Sequence, residues 1–98
     1  MLSKSEIFRR IEENRERLRS LGVRGLALFG SHARGDARAD SDVDLLVEFE
    51  RKNFDSYVDA KLMLEDAFGT SVDLVLADGL KPRLRAAILS EVIRAPGF

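Results

Sequence analysis

The sequence contains no cysteine and no tryptophan, only two prolines, and a single histidine, His32. Without cysteine, a disulfide framework and a thiolate metal site are both excluded. The single histidine likewise excludes a metal site that needs several histidine ligands. No apolar run approaches the roughly 20 residues of a membrane span, and residues 1–6 lack the apolar stretch of a signal peptide. We therefore expect a soluble protein of the cytoplasm.

The chain has 98 residues, the size of a single domain, so we expect residues 1–98 to fold as one unit. Its net charge of −1 argues against direct nucleic-acid binding. The charge is unevenly distributed, because residues 39–78 carry eleven Asp or Glu and three Lys or Arg, whereas both flanks are basic. This acidic middle is either a solvated surface or a site that holds cations.

Hydrophobic spacing and capping residues predict alternating helices and strands. Ser3 and Glu6 fit a capping box at a helix start, Asn53 can cap another helix, and Pro82 suits the first position of a last one. The order α-β-(turn)-β-α-β-α indicates an α/β (α+β) fold in which helices flank a small mixed sheet. The predicted helices cover residues 4–20, 54–68 and 82–94, the strands cover 23–29, 42–49 and 71–77, and a loop with one helical turn covers 30–41.

The last predicted helix has a wide apolar arc. Leu84, Ile88 and Val92 form one stripe, and Leu89 and Ile93 lie beside it. Core packing is the favoured explanation, because small domains need every apolar contact. The alternative is a docking surface for a partner helix or for a second copy of the chain.

Three aspartates are placed where their carboxylates could converge. Asp42 and Asp44 lie two apart on a predicted strand, so both project from one face with Cα atoms roughly 6.5–7 Å apart. Such carboxylates repel each other unless a cation lies between them, and Mg²⁺ is the natural occupant. Asp73 joins them if its strand is a neighbour, and three carboxylates can hold two ions about 3.5–4 Å apart for nucleotidyl transfer. Alternatively, they are surface acids that protect an edge strand.

A Gly-Ser turn follows the first buried strand. Gly30 would let a phosphate approach the backbone, and Ser31 offers a hydroxyl and a peptide N–H. Arg34 and Arg38 could neutralise phosphate charge, and we expect His32 to be a loop side chain near the phosphate rather than a general base. Glycine and serine are also ordinary turn residues. Here, however, the candidate phosphate-binding turn is followed after ten residues by the candidate metal-binding aspartates.

Residues 29–47, FGSHARGDARADSDVDLLV, resemble the Gly-Ser, ten residues, Asp-x-Asp signature of the DNA polymerase beta-type nucleotidyltransferase superfamily. The segments Gly30-Ser31-x-Ala33-Arg34-Gly35 and Ser41-Asp42-x-Asp44-Leu45 are similar to the minimal nucleotidyltransferase (MNT) family, which includes the MntA-type antitoxins of HEPN toxins. The chain length and Val72-Asp73-Leu74-Val75 fit that family too. The resemblance thus covers nearly the whole chain and implies a palm-like fold.

The resemblance also implies roles for individual residues. Asp42 and Asp44 would bind the metal ions, and Asp73 would be the third metal-binding carboxylate that helps to activate the acceptor hydroxyl. The chain lacks the helical domain with which larger relatives hold the base or the acceptor, so a partner chain would complete the site. The residues expected to bind the nucleotide are Gly30, Ser31, Arg34 and Ser41.

In the MNT family the donor is ATP, and the acceptor is a tyrosine of the partner HEPN ribonuclease, which AMP transfer inactivates. The resemblance therefore implies two Mg²⁺ ions, ATP and a HEPN toxin as cofactors and partner, with a homodimer or a hetero-oligomer left open. Two alternatives remain at the level of sequence. One is a non-catalytic antitoxin that neutralises the toxin by forming a complex, and the other is nucleotidyl transfer to a small molecule.

Overall fold

The computed structural model describes residues 2–51 and 53–98, in which helices flank a four-stranded sheet. The predicted fold class, a small mixed sheet flanked by helices, is confirmed. The helices are α1 (Lys4–Glu13), α2 (Arg15–Ser20), α3 (Gly30–Arg34), α4 (Phe54–Phe68) and α5 (Pro82–Leu89). The strands are β1 (Val23–Phe29), β2 (Val43–Phe49), β3 (Val72–Leu76) and β4 (Ile93–Arg94).

The strand order in the sheet is β3-β2-β1-β4. The central strand β1 is antiparallel to both β2 and β4, whereas β2 and β3 are parallel. Parallel neighbours need a crossover connection, and α4 supplies it. As a result the first residues of β2 and of β3 lie at the same end of the sheet.

The two faces of the sheet have different cover. One face is sealed by α1 and α4, and the other is partly covered by α5, which leaves room for polar side chains near the start of β2. The strand residues in the core under α1 and α4 are Val23, Leu26, Leu28, Val43, Leu45, Val47, Val72 and Leu74. A second, smaller apolar cluster on the other face contains Ala27, Leu46 and Ala77, with Ile88 and Val92 packed against it.

The ends of α4 coincide with the residues that the sequence predicts. The Asn53 side chain accepts hydrogen bonds from the backbone N–H groups of Asp55 and Ser56, at 2.9 and 3.3 Å. At the other end Gly69 adopts a left-handed conformation, with φ of 69°, and its N–H donates to the Glu65 carbonyl. Within the described residues, no helix has both the length and the apolar character that crossing a membrane requires.

The predicted single helix over 4–20 is wrong, because the structure divides it at Asn14 into α1 and α2. The Asn14 side chain donates a 2.8 Å hydrogen bond to the Arg10 carbonyl, and its backbone φ and ψ of −108° and 8° lie outside the helical range. Asparagine competes for helical backbone groups in this way. The apolar spacing survives the break, since Ile7, Ile11 and Leu18 are all buried.

The predicted last helix over 82–94 is also wrong, because α5 ends at Leu89 and is followed by the short strand β4. Ile93 and Arg94 pair with Leu28 and Ala27 of β1, whose outer edge would otherwise carry unpaired backbone groups. Edge pairing therefore outweighs the helical spacing. The apolar arc is consequently divided: Leu84 and Leu89 on α5 are 55% and 49% exposed.

Candidate active site

Asp44 and Asp73 lie side by side on the two parallel strands β2 and β3. Their Cα atoms are register partners, so the two side chains project from the same face of the sheet. Val43 and Val72, the preceding pair, point into the opposite face and are buried. The strand-neighbour condition that the sequence left open is thus met, and the two carboxylates belong to one polar patch.

Like charges and burial both act on the partly buried Asp44. Burial raises the pKa of its carboxyl most, and the neighbouring charges of Asp73 and Asp42 raise this pKa further. His32 and Arg34 act in the opposite direction and lower the same pKa. Asp44 is therefore the centre of a small acidic patch that also includes the exposed Asp42 and Asp73.

Gly30 packs directly against the Asp44 carboxylate. Its φ is +75°, a backbone conformation that other residues rarely adopt. A Cβ atom at this position would collide with Asp44 Oδ2 and would lie only 2.9 Å from Asp44 Cγ. The sequence therefore needs glycine here for two reasons, the backbone conformation and the close approach of the start of α3 to Asp44.

Helix α3 presents the predicted nucleotide-binding residues Ser31 and Arg34 beside this glycine. Ser31 is partly buried, and its carbonyl accepts the N–H groups of Gly35 and Asp36, each at 3.0 Å. Arg34 is half-exposed and forms ion pairs with Asp36 and Glu91, each at 3.3 Å. Hydrogen bonds to Asp36 and then to Glu91 raise the pKa of the Arg34 guanidinium.

Ser41 and Arg38 lie in the turn that leads into β2. The Ser41 hydroxyl accepts a 2.9 Å hydrogen bond from the Arg38 backbone N–H, which closes the turn just before Asp42. Both residues line a cavity of about 360 Å³ that reaches Arg10 and Phe68, beneath α1 and α4. In the structure Ser41 therefore shapes the approach to Asp42, and its role in nucleotide binding stays a prediction.

His32 does not lie on an open loop as the sequence suggested. It is part of α3 and is only 5% exposed, and its Nδ1 has no hydrogen-bond partner among residues 2–51 and 53–98. The reason is that α3 begins directly after Phe29, so this face of the short helix turns inward toward the start of α1. His32 nonetheless lowers the pKa of the Asp44 carboxyl through space.

The donor set of the acidic patch fits a hard divalent cation. Carboxylate oxygens are the ligands that Mg²⁺ prefers, and the repulsion among Asp42, Asp44 and Asp73 is the kind that a cation relieves. Across the described chain, no three His, Asp or Glu side chains are already drawn close enough together to hold a metal ion. Asp44 and Asp73 share one face, whereas Asp42 lies in the turn just before β2 rather than on the predicted strand. A cation would have to bring the three side chains together.

Glu91 is a member of the site that the sequence did not indicate. Its carboxylate Oε1 accepts a 3.1 Å hydrogen bond from the Gly30 backbone N–H and a 3.3 Å hydrogen bond from Arg34. The residue follows α5 and is separated from Gly30 by 61 positions. No local pattern marks it, because its place depends on where α5 ends, and the hydrophobic spacing predicts a longer helix there.

Three comparisons with known proteins assign this chain to the same family. Residues 9–95 match the family model described as a nucleotidyltransferase domain. The protein adenylyltransferase MntA of Thermococcus cleftensis is 38% identical over 95 residues, which cover 95% of this chain and 96% of that protein. A solved structure described as a minimal nucleotidyltransferase is 42% identical, has a TM-score of 0.71, and is matched over 88% of this chain and 93% of that chain.

A more distant structure shares the fold. It is a complex of a tri-AMPylated Shewanella oneidensis HEPN toxin with an MNT antitoxin, which is 19% identical to this chain with a TM-score of 0.64. The match covers 93% of this chain and 73% of that chain. The family model and the full-length relative decide the assignment: this chain is an enzyme of the nucleotidyltransferase family, in its minimal, MntA-type group.

Proposed function

We propose that this enzyme transfers AMP from ATP, with the help of Mg²⁺, to a tyrosine hydroxyl of a HEPN-type toxin and so acts as its antitoxin. The observation that carries the proposal is the in-register pair of Asp44 and Asp73, with Gly30 packed against Asp44. Two acidic groups therefore lie beside a segment that we expect to hold phosphate. We place the reaction in the cytoplasm and assign it to residues 1–98 as a single domain.

The nucleotide would bind with its phosphates along the start of α3. The backbone N–H groups of Gly30 and Ser31 and the Ser31 hydroxyl are donors for phosphate oxygens, and the Arg34 guanidinium balances their charge. Ser41 would contribute through the turn that positions Asp42. Phosphates bound there would lie next to the acidic patch, because Gly30 lies against Asp44.

The transfer itself is a displacement at the α-phosphorus. The acceptor oxygen forms a bond to this phosphorus, and the bond to the oxygen that bridges to the β-phosphate breaks, so pyrophosphate leaves with the electron pair. Asp73 would take the proton of the acceptor hydroxyl, and its exposure beside Asp44 supports this role. Mg²⁺ ions held by Asp42, Asp44 and Asp73 would neutralise the negative charge that develops on the phosphate oxygens.

The proposed acceptor is supported by the relatives. The Thermococcus protein of 38% identity is named a protein adenylyltransferase, and the toxin in the Shewanella complex carries AMP groups. A protein acceptor also fits the acidic patch, because Asp42 and Asp73 are exposed and a partner can approach them. A small-molecule acceptor would need a pocket that a second chain completes.

The test is to incubate the chain with ATP, Mg²⁺ and a HEPN toxin encoded beside it, and to measure the intact mass of the toxin. We expect the mass to rise by one or more AMP groups, and a toxin variant with Phe in place of the modified Tyr should stay unmodified. A stable complex without any gain in mass would instead support an antitoxin that acts by binding alone.

The binding alternative has one structural observation in its favour. Leu84 and Leu89 on α5 are half-exposed, and α5 carries Arg83 and Arg85 but no acidic residue. Such a surface suits an acidic and apolar partner surface. If the chain acts by binding alone, changing both leucines to Ala would weaken neutralisation of the toxin more than Asp44→Asn does. If it acts as an enzyme, we expect Asp44→Asn to weaken neutralisation of the toxin more.

A further inference from the structure

The Glu91 side chain occupies the place that the proposed function gives to a nucleotide phosphate. It extends from the turn after α5 and is 30% exposed. Oε1 accepts hydrogen bonds from the Gly30 N–H at 3.1 Å and from Arg34 Nη1 at 3.3 Å, and Oε2 accepts from the same Arg34 nitrogen at 3.3 Å. One anion of this chain thus contacts both a backbone donor and a cationic donor of the site.

These contacts compete with a phosphate for the same donors. A backbone N–H group carries one hydrogen, so the Gly30 N–H cannot be fully bonded to the Glu91 carboxylate and to a phosphate oxygen together. Arg34 already has two acidic partners, Asp36 and Glu91, so its charge is compensated before any nucleotide arrives. Two anions at this position would also repel each other.

We propose that Glu91 is a built-in competitor of the nucleotide phosphates and therefore sets the affinity for ATP. This inference rests on the proposed function, since it takes Gly30 and Arg34 as phosphate-binding groups. The carboxylate holds the site in the absence of nucleotide, and it swings away when phosphate takes its donors. Removing its charge should therefore strengthen nucleotide binding rather than weaken it.

The displacement needs only a side-chain rotation. The Glu91 backbone N–H is fixed to the Ile88 carbonyl at 3.1 Å, and two residues later β4 is paired with β1. These bonds hold the chain on both sides of Glu91, while its partly exposed side chain can turn toward solvent. Arg34 keeps Asp36 as a partner after the exchange.

The experiment compares Glu91→Gln with the unchanged chain by titration calorimetry. The probes are the ATP analogue AMP-PNP with Mg²⁺, and inorganic tripolyphosphate with Mg²⁺. Glutamine keeps the shape of the side chain but loses its charge. We expect the Kd for both probes to fall about tenfold, which is equivalent to about 1.4 kcal/mol.

Glu13→Gln is the matched control, because Glu13, the last residue of α1, also forms an ion pair with an arginine, Arg9, at 3.1 Å. Glu13→Gln removes the same charge from a residue that does not bind Gly30 or Arg34. It should therefore leave both Kd values within about twofold. A Kd for Glu91→Gln that is unchanged or higher would overturn the competitor role while the unchanged chain still binds AMP-PNP. If the unchanged chain binds neither probe, the proposed function itself is overturned.

Discussion

Asp42→Asn and Asp44→Asn are each expected to lower the rate of AMP transfer by at least about 10²–10³-fold while the fold is kept. Asparagine has the size of aspartate but no negative charge, so it cannot hold a divalent cation in the same way. Asp42 is exposed and Asp44 is partly buried, so neither change leaves a cavity in the core. The measurement is the rate at which AMP from labelled ATP appears on the partner protein, with circular dichroism as the check on folding.

Asp66→Asn is the control for this pair of variants. Asp66 is an exposed aspartate on α4, away from the face that carries Asp44 and Asp73. The control makes the same chemical change and should transfer AMP at the original rate. If Asp42→Asn and Asp44→Asn transferred AMP as fast as Asp66→Asn, the assignment of metal-binding residues would be wrong.

Gly30→Ala is expected to remove nucleotide binding and AMP transfer almost completely, by about 10²-fold or more. The new methyl group would collide with the Asp44 carboxylate, and the φ of +75° would be strained for alanine. Backbone strain of this kind costs about 1–3 kcal/mol of stability. Titration with AMP-PNP and Mg²⁺ and chemical unfolding measure the two effects separately.

Gly69→Ala separates the collision from the strain. Gly69 has a similar φ of +69° at the end of α4, but a Cβ atom there would meet no atom within 4 Å. Both variants should lose stability through strain, and only Gly30→Ala should lose nucleotide binding. Equal binding by the two variants would show that the close approach of Gly30 to Asp44 is unimportant.

Elements that are defined by their own residues were predictable from the sequence. α4 begins after a capping asparagine and ends just before Gly69, and the structure has it over the predicted residues. β1 is a buried apolar run between Gly22 and Gly30, and it also has its predicted bounds. The alternation of apolar and polar residues after Asp42 predicted the face of the sheet on which Asp44 lies, because a strand has a period of two residues.

Features that depend on distant partners were not predictable. The strand β4 exists because the edge of β1 offers it a partner, and nothing in residues 90–94 marks a strand. The neighbouring position of β2 and β3 decides whether Asp73 meets Asp44, so the sequence could state it only as a condition. Glu91 was missed for the same reason, since its contacts with Gly30 and Arg34 follow from the end of α5.

The raised pKa of Asp44 makes the folding stability of the chain depend on pH. Burial, then Asp73 and Asp42, raise this pKa in the folded chain above its value in the unfolded chain. The folded state therefore keeps a proton that the unfolded state has released, so stability falls as pH rises from the ordinary aspartate range through the raised pKa. At neutral pH the charge on Asp44 weakens the metal-free fold.

The most direct measurement of a cation-binding role for the acidic patch is the thermal unfolding midpoint, Tm, of the unchanged chain and of Asp44→Asn. Without divalent cations at neutral pH, we expect Asp44→Asn to have the higher Tm by a few degrees, and this difference should vanish at acidic pH. With Mg²⁺ and AMP-PNP at about 100 times Kd, the unchanged chain should gain about 2.7 kcal/mol, or about 10 °C or more.

Asp44→Asn should gain little from the same additions, so the order of the two Tm values should reverse. The Asp44 carboxylate makes no hydrogen bond to any other residue in the ranges 2–51 and 53–98, so its replacement by asparagine removes repulsion without breaking a bond. A higher Tm for the unchanged chain without cations, together with an equal gain for both proteins on adding Mg²⁺ and AMP-PNP, would contradict a cation site at Asp42, Asp44 and Asp73.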